Sequence, residues 1–247
     1  MTPLRMIDTF SGIGGFSLAA RWLGGIETVQ FVEREPFCRR ILAKNWPTVP
    51  IHDDICTFSP ERGAADVVVG GFPCQDLSKA GARRGLGYDT RSGLFYQLLR
   101  VVCLVRPRFI VLENVAAILD GHLGTVVGEL AANGYDCEWA CLSAADLGAW
   151  HLRDRWWAVA YPSSYRIQGH FPDAVSWQQG LTDVSFSRGV ADLTNGPPGS
   201  SPRFRGDPDG VPAWMDRLKA LGNAVVPQVA MVPLARVLEL AGSMEGR

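Results

Sequence analysis

The chain has 247 residues, of which 47% are hydrophobic and 20% charged, and its formal net charge is -1. That length and apolar content suit one large domain with a small appendage. The near-neutral balance excludes a global attraction to nucleic acid, so a polyanionic partner would have to be held by local patches.

Short β-rich apolar runs alternate with longer amphipathic segments, a pattern that predicts a parallel sheet flanked by helices. In chain order, strands are predicted at about 4–8 (LRMID), 27–33 (ETVQFVE), 66–70 (DVVVG), 108–113 (RFIVLE), 135–142 (YDCEWACL) and 155–161 (RWWAVAY). Helices are predicted at about 16–24, 35–46, 92–105, 121–133 and 225–241. Right-handed crossovers make such a sheet doubly wound, with ligands collecting beyond the carboxyl ends of its strands. From about 162 to 209 the periodicity lapses into sequence rich in Ser, Gly, Pro and Asp, read as an irregular insert or small lobe.

Directly after the first strand comes "DTFSGIGGF". Gly12, Gly14 and Gly15 let backbone pass close to a ligand, and the helix that follows presents free N–H groups. The dinucleotide fingerprint is absent, because its third glycine would fall on Ser17. Glu33 ends the second strand about twenty residues on, where a carboxylate can accept from two ribose hydroxyls. Asp54, the last residue of "PIHDD", stands at the end of a third strand and could accept from an adenine amino group. Either acid alone could merely solvate a loop. Three such features at successive strand ends describe a nucleoside pocket with little demand for phosphate.

The strand at 66–70 runs into "GGFPCQDLS", where Gly70 and Gly71 are expected to allow a sharp bend and Pro73 fixes one dihedral. The six cysteines include no CxxC pair, which favours reduced, intracellular thiols. Five of them read as small buried hydrophobes. Cys74 differs, because its neighbours are loop formers and polar groups, so it reads as a nucleophile. The loop after it, "SKAGARRGLGYDTRSG", carries Lys79, Arg83, Arg84 and Arg91 and suits closure over a polyanion. The next strand ends in "VLENV", and Glu113 held among apolar neighbours could keep a proton near neutral pH and give it to a ring nitrogen. A helix-capping role for Glu113 and Asn114 is the plainer alternative. In "HLRDRWWAVA", Arg153 and Arg155 are two apart on one face of a strand and can point into one site. Trp156 and Trp157 are expected to cover the sheet. The four histidines are scattered, and no metal site is expected. "MTPLRMIDTF" lacks the apolar core of a signal peptide and no apolar run approaches about 18 residues, so a soluble, cytoplasmic protein without membrane association is expected.

Taken in order, "DTFSGIGGF", Glu33, "DDI", "GFPCQDLS", "ENV", the arginines of "HLRDR" and "ALGNAVVPQ" resemble the motif blocks of bacterial and phage cytosine-5 DNA methyltransferases. The resemblance covers about 1–161 and 214–240. It implies a Rossmann-like doubly wound mixed sheet with helices on both faces and a small target-recognition lobe. By it, 1–161 is an S-adenosylmethionine-binding catalytic domain, 162–209 a short target-recognition region, and 210–247 a segment completing the catalytic domain. It also implies that Cys74 attacks carbon 6 of a cytosine flipped out of double-stranded DNA while Glu113 hydrogen-bonds or protonates ring nitrogen 3. Carbon 5 then takes the methyl group of S-adenosyl-L-methionine, and Arg155 with Arg153 stabilises the cytosine edge. For the cofactor it implies Phe10 near the adenine, Ser11, Gly12, Gly14 and Gly15 at the methionine end, Glu33 on the ribose, and Asp54 with Ile55 around the adenine. Pro73, Leu94 and Asn223 match further cofactor-lining positions. Gln75, Ser78 and Lys79, with the loop residues Arg83 and Arg84, fall where the family's loop meets DNA. The helix after Asn223 should fold back beside the first helix.

The chain departs from the family where Trp150 and His151 replace its usual Pro-Gln, and in the shortness of the recognition segment. Two alternatives therefore stand beside DNA methylation: a transfer-RNA cytosine methyltransferase, and a cofactor-binding remnant that recognises DNA without turnover. A monomer able to serve beside a companion restriction endonuclease in a restriction-modification pair completes the expectation.

Overall fold

A computed structural model describes residues 2–73, 93–147, 149, 151–165, 220 and 222–245. Cys74, Gln75, Ser78, Lys79, Arg83 and Arg84 lie outside the described residues, as does the expected lobe beyond its first four residues.

Among the described residues there are seven strands, β1 (Leu4–Thr9), β2 (Ile26–Val32), β3 (Ile51–His52), β4 (Val67–Gly71), β5 (Phe109–Val115), β6 (Tyr135–Leu142) and β7 (Arg155–Pro162). The helices are α1 (Gly15–Leu23), α2 (Pro36–Asn45), α3 (Gly93–Val105), α4 (Leu123–Ala132) and α5 (Pro227–Glu245). All seven strands join one sheet in the order β3-β2-β1-β4-β5-β7-β6. From β3 to β5 the pairs are parallel. The chain leaves β3 at one edge and re-enters beside β1 as β4, so the order reverses between β1 and β4, the crevice where open α/β sheets take ligands.

The sheet is mixed, as the resemblance implied, although the alternation of strands and helices alone predicts parallel pairing: β7 runs antiparallel to both β5 and β6. The reason lies in the connection. Between β6 and β7 the described residues hold no crossover helix, and without one a strand returns beside its neighbour in the opposite direction. The reversal matters for chemistry, because it brings the amino end of β7, with Arg155, to the edge where β5 ends.

Alternate strand residues feed two cores. Met6, Val67, Val69, Phe109, Val111, Trp157 and Val159 face α1 and α5, packing with Phe16, Val229 and Leu234. Ile7, Val68, Ile110, Leu112 and Trp156 face the other way and pack with Leu98 and Val102 of α3 and Val126 and Leu130 of α4. Each such side chain contributes about 1.5–3 kcal/mol by burial. Trp156 and Trp157 are thus sealed within the two cores, as expected, and the Trp157 ring meets Phe16 edge-on at 5.7 Å. α5 lies against α1, as the resemblance implied. It is also pinned to β6: Arg236 Nε and Nη2 donate to the two carboxylate oxygens of Glu138 at 2.6 and 3.3 Å. Glu138 is almost fully buried and needs that counter-charge.

Candidate active site

At the end of β1 the chain turns through two left-handed residues, Phe10 (φ 51) and Gly12 (φ 54). Glycine adopts that conformation without strain, whereas Phe10 stores roughly 1–3 kcal/mol. Space is open where a Gly12 side chain would begin, since among the described residues no atom beyond its chain neighbours lies within 4 Å of that point. Gly12 N–H donates to Glu33 Oε2 at 2.7 Å, and Glu35 N–H donates to Glu33 Oε1 at 2.7 Å. Both Glu33 oxygens are therefore fixed by backbone, each with lone-pair capacity left for a further donor.

Across the crevice, Gly70 and Gly71 close β4. The expected bend is not why glycine stands there, since neither has a positive φ. A Cβ at Gly70 would collide with Leu98 and Thr9 Oγ1, and one at Gly71 would lie 2.9 Å from Glu113 Oε2. Register explains the second contact, because Gly71 pairs with Glu113. Asn114 Nδ2 donates to Phe72 O at 2.9 Å, tying the exit of β4 to the end of β5 just before Cys74.

Glu113 forms an ion pair with Arg155 Nε at 3.0 Å. Burial pushes its carboxyl above the usual carboxylate range, against the opposing pull of Arg155 and Arg153. A carboxyl group so poised can hold a proton and deliver it to the ring nitrogen of a base seated against it. Arg153 does not sit on the strand as expected but just before it, and its Nη2 donates to Gly222 O at 2.9 Å and Ala224 O at 2.8 Å.

These parts face one cavity of about 510 Å³. Phe10, Gly12 and Glu33 line its β1–β2 side, Pro73, Glu113, Arg153 and Arg155 its β4–β5–β7 side, and Asn223 closes it from the segment before α5. Glu35, Phe37 and Cys38, which join the lining from the start of α2, were not expected there for want of a recognised signal. "EREPFC" could have offered one, since Pro36 opens the helix directly beyond Glu33.

Other expected site residues stand elsewhere. Ser11 is buried, its hydroxyl donating to Asp8 O at 2.6 Å. Gly14 (φ 90) leaves room for the Trp46 ring, and Gly15 for Val225, so both serve close packing and border a second hollow of about 270 Å³. Asp54 Oδ1 accepts from Cys56 N–H at 2.9 Å, which together with weaker effects holds its carboxyl below the usual range. Ile55 belongs to the core, and Leu94 is half-buried against it. None of these six borders the 510 Å³ cavity. A further acid passed unnoticed in the sequence: Asp8, fully buried, accepts from Ser17 Oγ at 2.6 Å, and burial pushes it up to about 8.

Residues 4–190 match the model of the C-5 cytosine-specific DNA methylase family. The chain is similar to the type II methyltransferase M.HgiCII of Herpetosiphon aurantiacus, 30% identical over 191 residues that cover 74% of this chain and 43% of that protein. It is also similar to the type II methyltransferase M1.HphI of Haemophilus parahaemolyticus, 36% identical over 165 residues, covering 62% and 44%. The chain thus spans less than half the length of these curated relatives. Among solved structures its backbone is similar to S. pombe Dnmt2 methyltransferase, with a TM-score of 0.59 at 24% identity, covering 71% of this chain and 55% of that one. A putative DNA modification methyltransferase encoded within an E. coli prophage matches with a TM-score of 0.55 at 26% identity, covering 68% and 49%. With the sheet order, the acid at the end of β5 and the family match over most of its length in agreement, the chain belongs to the C-5 cytosine-specific DNA methylase family.

Proposed function

We propose that this chain methylates carbon 5 of a cytosine in double-stranded DNA, with S-adenosyl-L-methionine as donor. The observation that carries the reading is that Glu33 and the Glu113–Arg155 pair face one cavity, whose wall also includes Pro73, the residue before Cys74.

The residues at the Glu33 end fit the donor. They offer carboxylates (Glu33, Glu35) and aromatic rings (Phe10, Phe37), with open space over Gly12, and so suit a nucleoside that carries a positive charge and no phosphate. Glu33 would hold the ribose hydroxyls, Phe10 would lie along the adenine, and Asn223 would close the pocket. When bound there, S-adenosyl-L-methionine supplies an electrophilic methyl group.

At the other end, the Cys74 sulfur adds to carbon 6 of the flipped-out base. Glu113 holds a proton at ring nitrogen 3, so the electrons released by addition accumulate at carbon 5, which then accepts the methyl group. Arg155 keeps Glu113 oriented and stabilises charge on the base. Loss of the carbon 5 proton to a base lets the Cys74 sulfur depart and restores the ring. Gln75, Ser78, Lys79, Arg83 and Arg84 would hold the DNA backbone near the flipped base, and 162–209 would read the target.

Incubation with S-adenosylmethionine labelled in its methyl group, alongside unmethylated duplex DNA and transfer RNA, tests the proposal. Label is expected in 5-methylcytosine of DNA and to vanish with Cys74→Ser. Label confined to RNA would transfer the chemistry to the other polynucleotide, and donor binding without any transfer would leave a binding remnant instead.

A further inference from the structure

Arg153 sits where two hollows meet, lining both the 510 Å³ cavity and the 270 Å³ one behind the glycine loop. The neighbouring arginine, Arg155, pairs with Glu113. Arg153 instead directs one nitrogen at two backbone carbonyls, Gly222 O and Ala224 O, 69 and 71 residues along the chain. Those carbonyls flank Asn223, which lines the large cavity. Val225, two residues beyond Asn223, packs so closely on Gly15 that no side chain could stand between them. The segment at 222–225 is therefore held from two sides, by a guanidinium on one and a bare glycine on the other. Charge-assisted bonds to carbonyls are the stronger kind, and the two N–H groups of that nitrogen are held in the fixed plane of the guanidinium, whereas the donors of an ammonium rotate on a flexible stem.

We propose that Arg153 is a positioning residue, fastening the 222–224 segment over the cavity so that Asn223 meets the methyl donor, and that it sets donor affinity more than the rate of methyl transfer. This rests on the methyltransferase reading above. The two arginines of "HLRDR" then divide the labour, Arg155 pairing with the acid and Arg153, beside its lesser pull on that acid, holding the cavity wall.

The test measures equilibrium binding of S-adenosylhomocysteine, the demethylated product, by calorimetry for wild type, Arg153→Ala, Arg153→Lys, Arg155→Ala, Asn223→Ala and the Arg153→Ala/Asn223→Ala double variant. The maximal transfer rate at saturating donor and the unfolding midpoint are measured alongside. Arg153→Ala is expected to weaken binding about tenfold or more, with Arg153→Lys intermediate and Arg155→Ala within about twofold of wild type. Because Arg153 acts through Asn223, the double variant is expected to bind no more weakly than the worse single variant. Should Arg153→Ala fail to fold, Arg153→Lys carries the same comparison. Unchanged affinity with a collapsed transfer rate, or fully additive losses in the double variant, would overturn the proposal while leaving the methyltransferase reading intact. A wild-type chain that binds no S-adenosylhomocysteine would overturn both.

Discussion

Asp8 at the end of β1 and Glu113 at the end of β5 are both carboxyl groups that burial drives toward the neutral form. Their surroundings differ. Asp8 is wholly sealed: Oδ2 accepts from Ser17 Oγ, which accepts in turn from Thr28 Oγ1 at 2.8 Å, and Oδ1 has no partner among the described residues. The charge felt there is that of Glu33, which raises Asp8 further. Glu113 faces the cavity, with Arg155 at 3.0 Å and Arg153 close enough to oppose the effect of burial. Burial alone makes an acid neutral and inert. Burial offset by cations and open to a cavity makes one that can give up a proton and take it back.

The largest effect expected from breaking this contrast comes from Glu113→Gln, which keeps shape but removes the proton donor. Single-turnover transfer should slow by about 10²–10⁴-fold with donor binding intact, and an unimpaired rate would reduce Glu113 to the same bystander status as Asp8. Gly71→Ala ranks next. Its new methyl group would press on Glu113 Oε2 and shift the carboxyl group without altering its chemistry, so transfer should fall about 10–100-fold while the unfolding midpoint stays close to wild type.

Arg155→Gln sharpens the comparison through pH. Removing the cation deletes an effect that lowers the Glu113 pKa, so that pKa rises further. If the protonated acid is the working form, the alkaline limb of kcat/KM moves to higher pH in the variant, and a limb moving to lower pH would contradict the assignment.

Asp8→Asn should disturb transfer least and stability most visibly. Below about pH 4 folded and unfolded chains both carry Asp8 protonated. Between about 4 and 8 the unfolded chain sheds that proton while the folded chain keeps it, so stability falls as pH rises, by at most about 1.4 kcal/mol per pH unit. Above about 8 the loss is complete. The variant cannot titrate there, so its urea-unfolding free energy should decline less between pH 5 and pH 8 than that of wild type.

Strand and helix positions were legible to within a residue or two, apart from α5, which runs four residues past its expected end, because alternation and helical spacing record which face is buried. Tyr135–Leu142 matched its expected bounds, and Arg155–Pro162 and Gly93–Val105 differed by one residue. Strand direction was not legible in the spacing, since a period of two is the same read either way; the resemblance alone implied a mixed sheet, and the missing crossover turns β7 around. The cavity's acids were legible as residue types at strand ends. Their partners were not: Arg153 grips carbonyls some 70 residues away, and backbone carbonyls leave no mark in a sequence. Gly14, Gly15, Gly70 and Gly71 misled for a related reason, because a glycine that admits a neighbour looks the same as one that admits a ligand.

The most direct measurement exploits the proton that must leave carbon 5. A DNA duplex whose target cytosine carries fluorine there has no such proton to lose, so the sulfur cannot depart after methyl transfer. Incubated with it and S-adenosylmethionine, the protein should gain the mass of the methylated strand in a denaturing mass spectrum, and Cys74→Ala should gain nothing. An adduct that persists in Cys74→Ala, or methylation of ordinary DNA with no adduct on the fluorinated duplex, would contradict covalent attack by Cys74 in concert with Glu113.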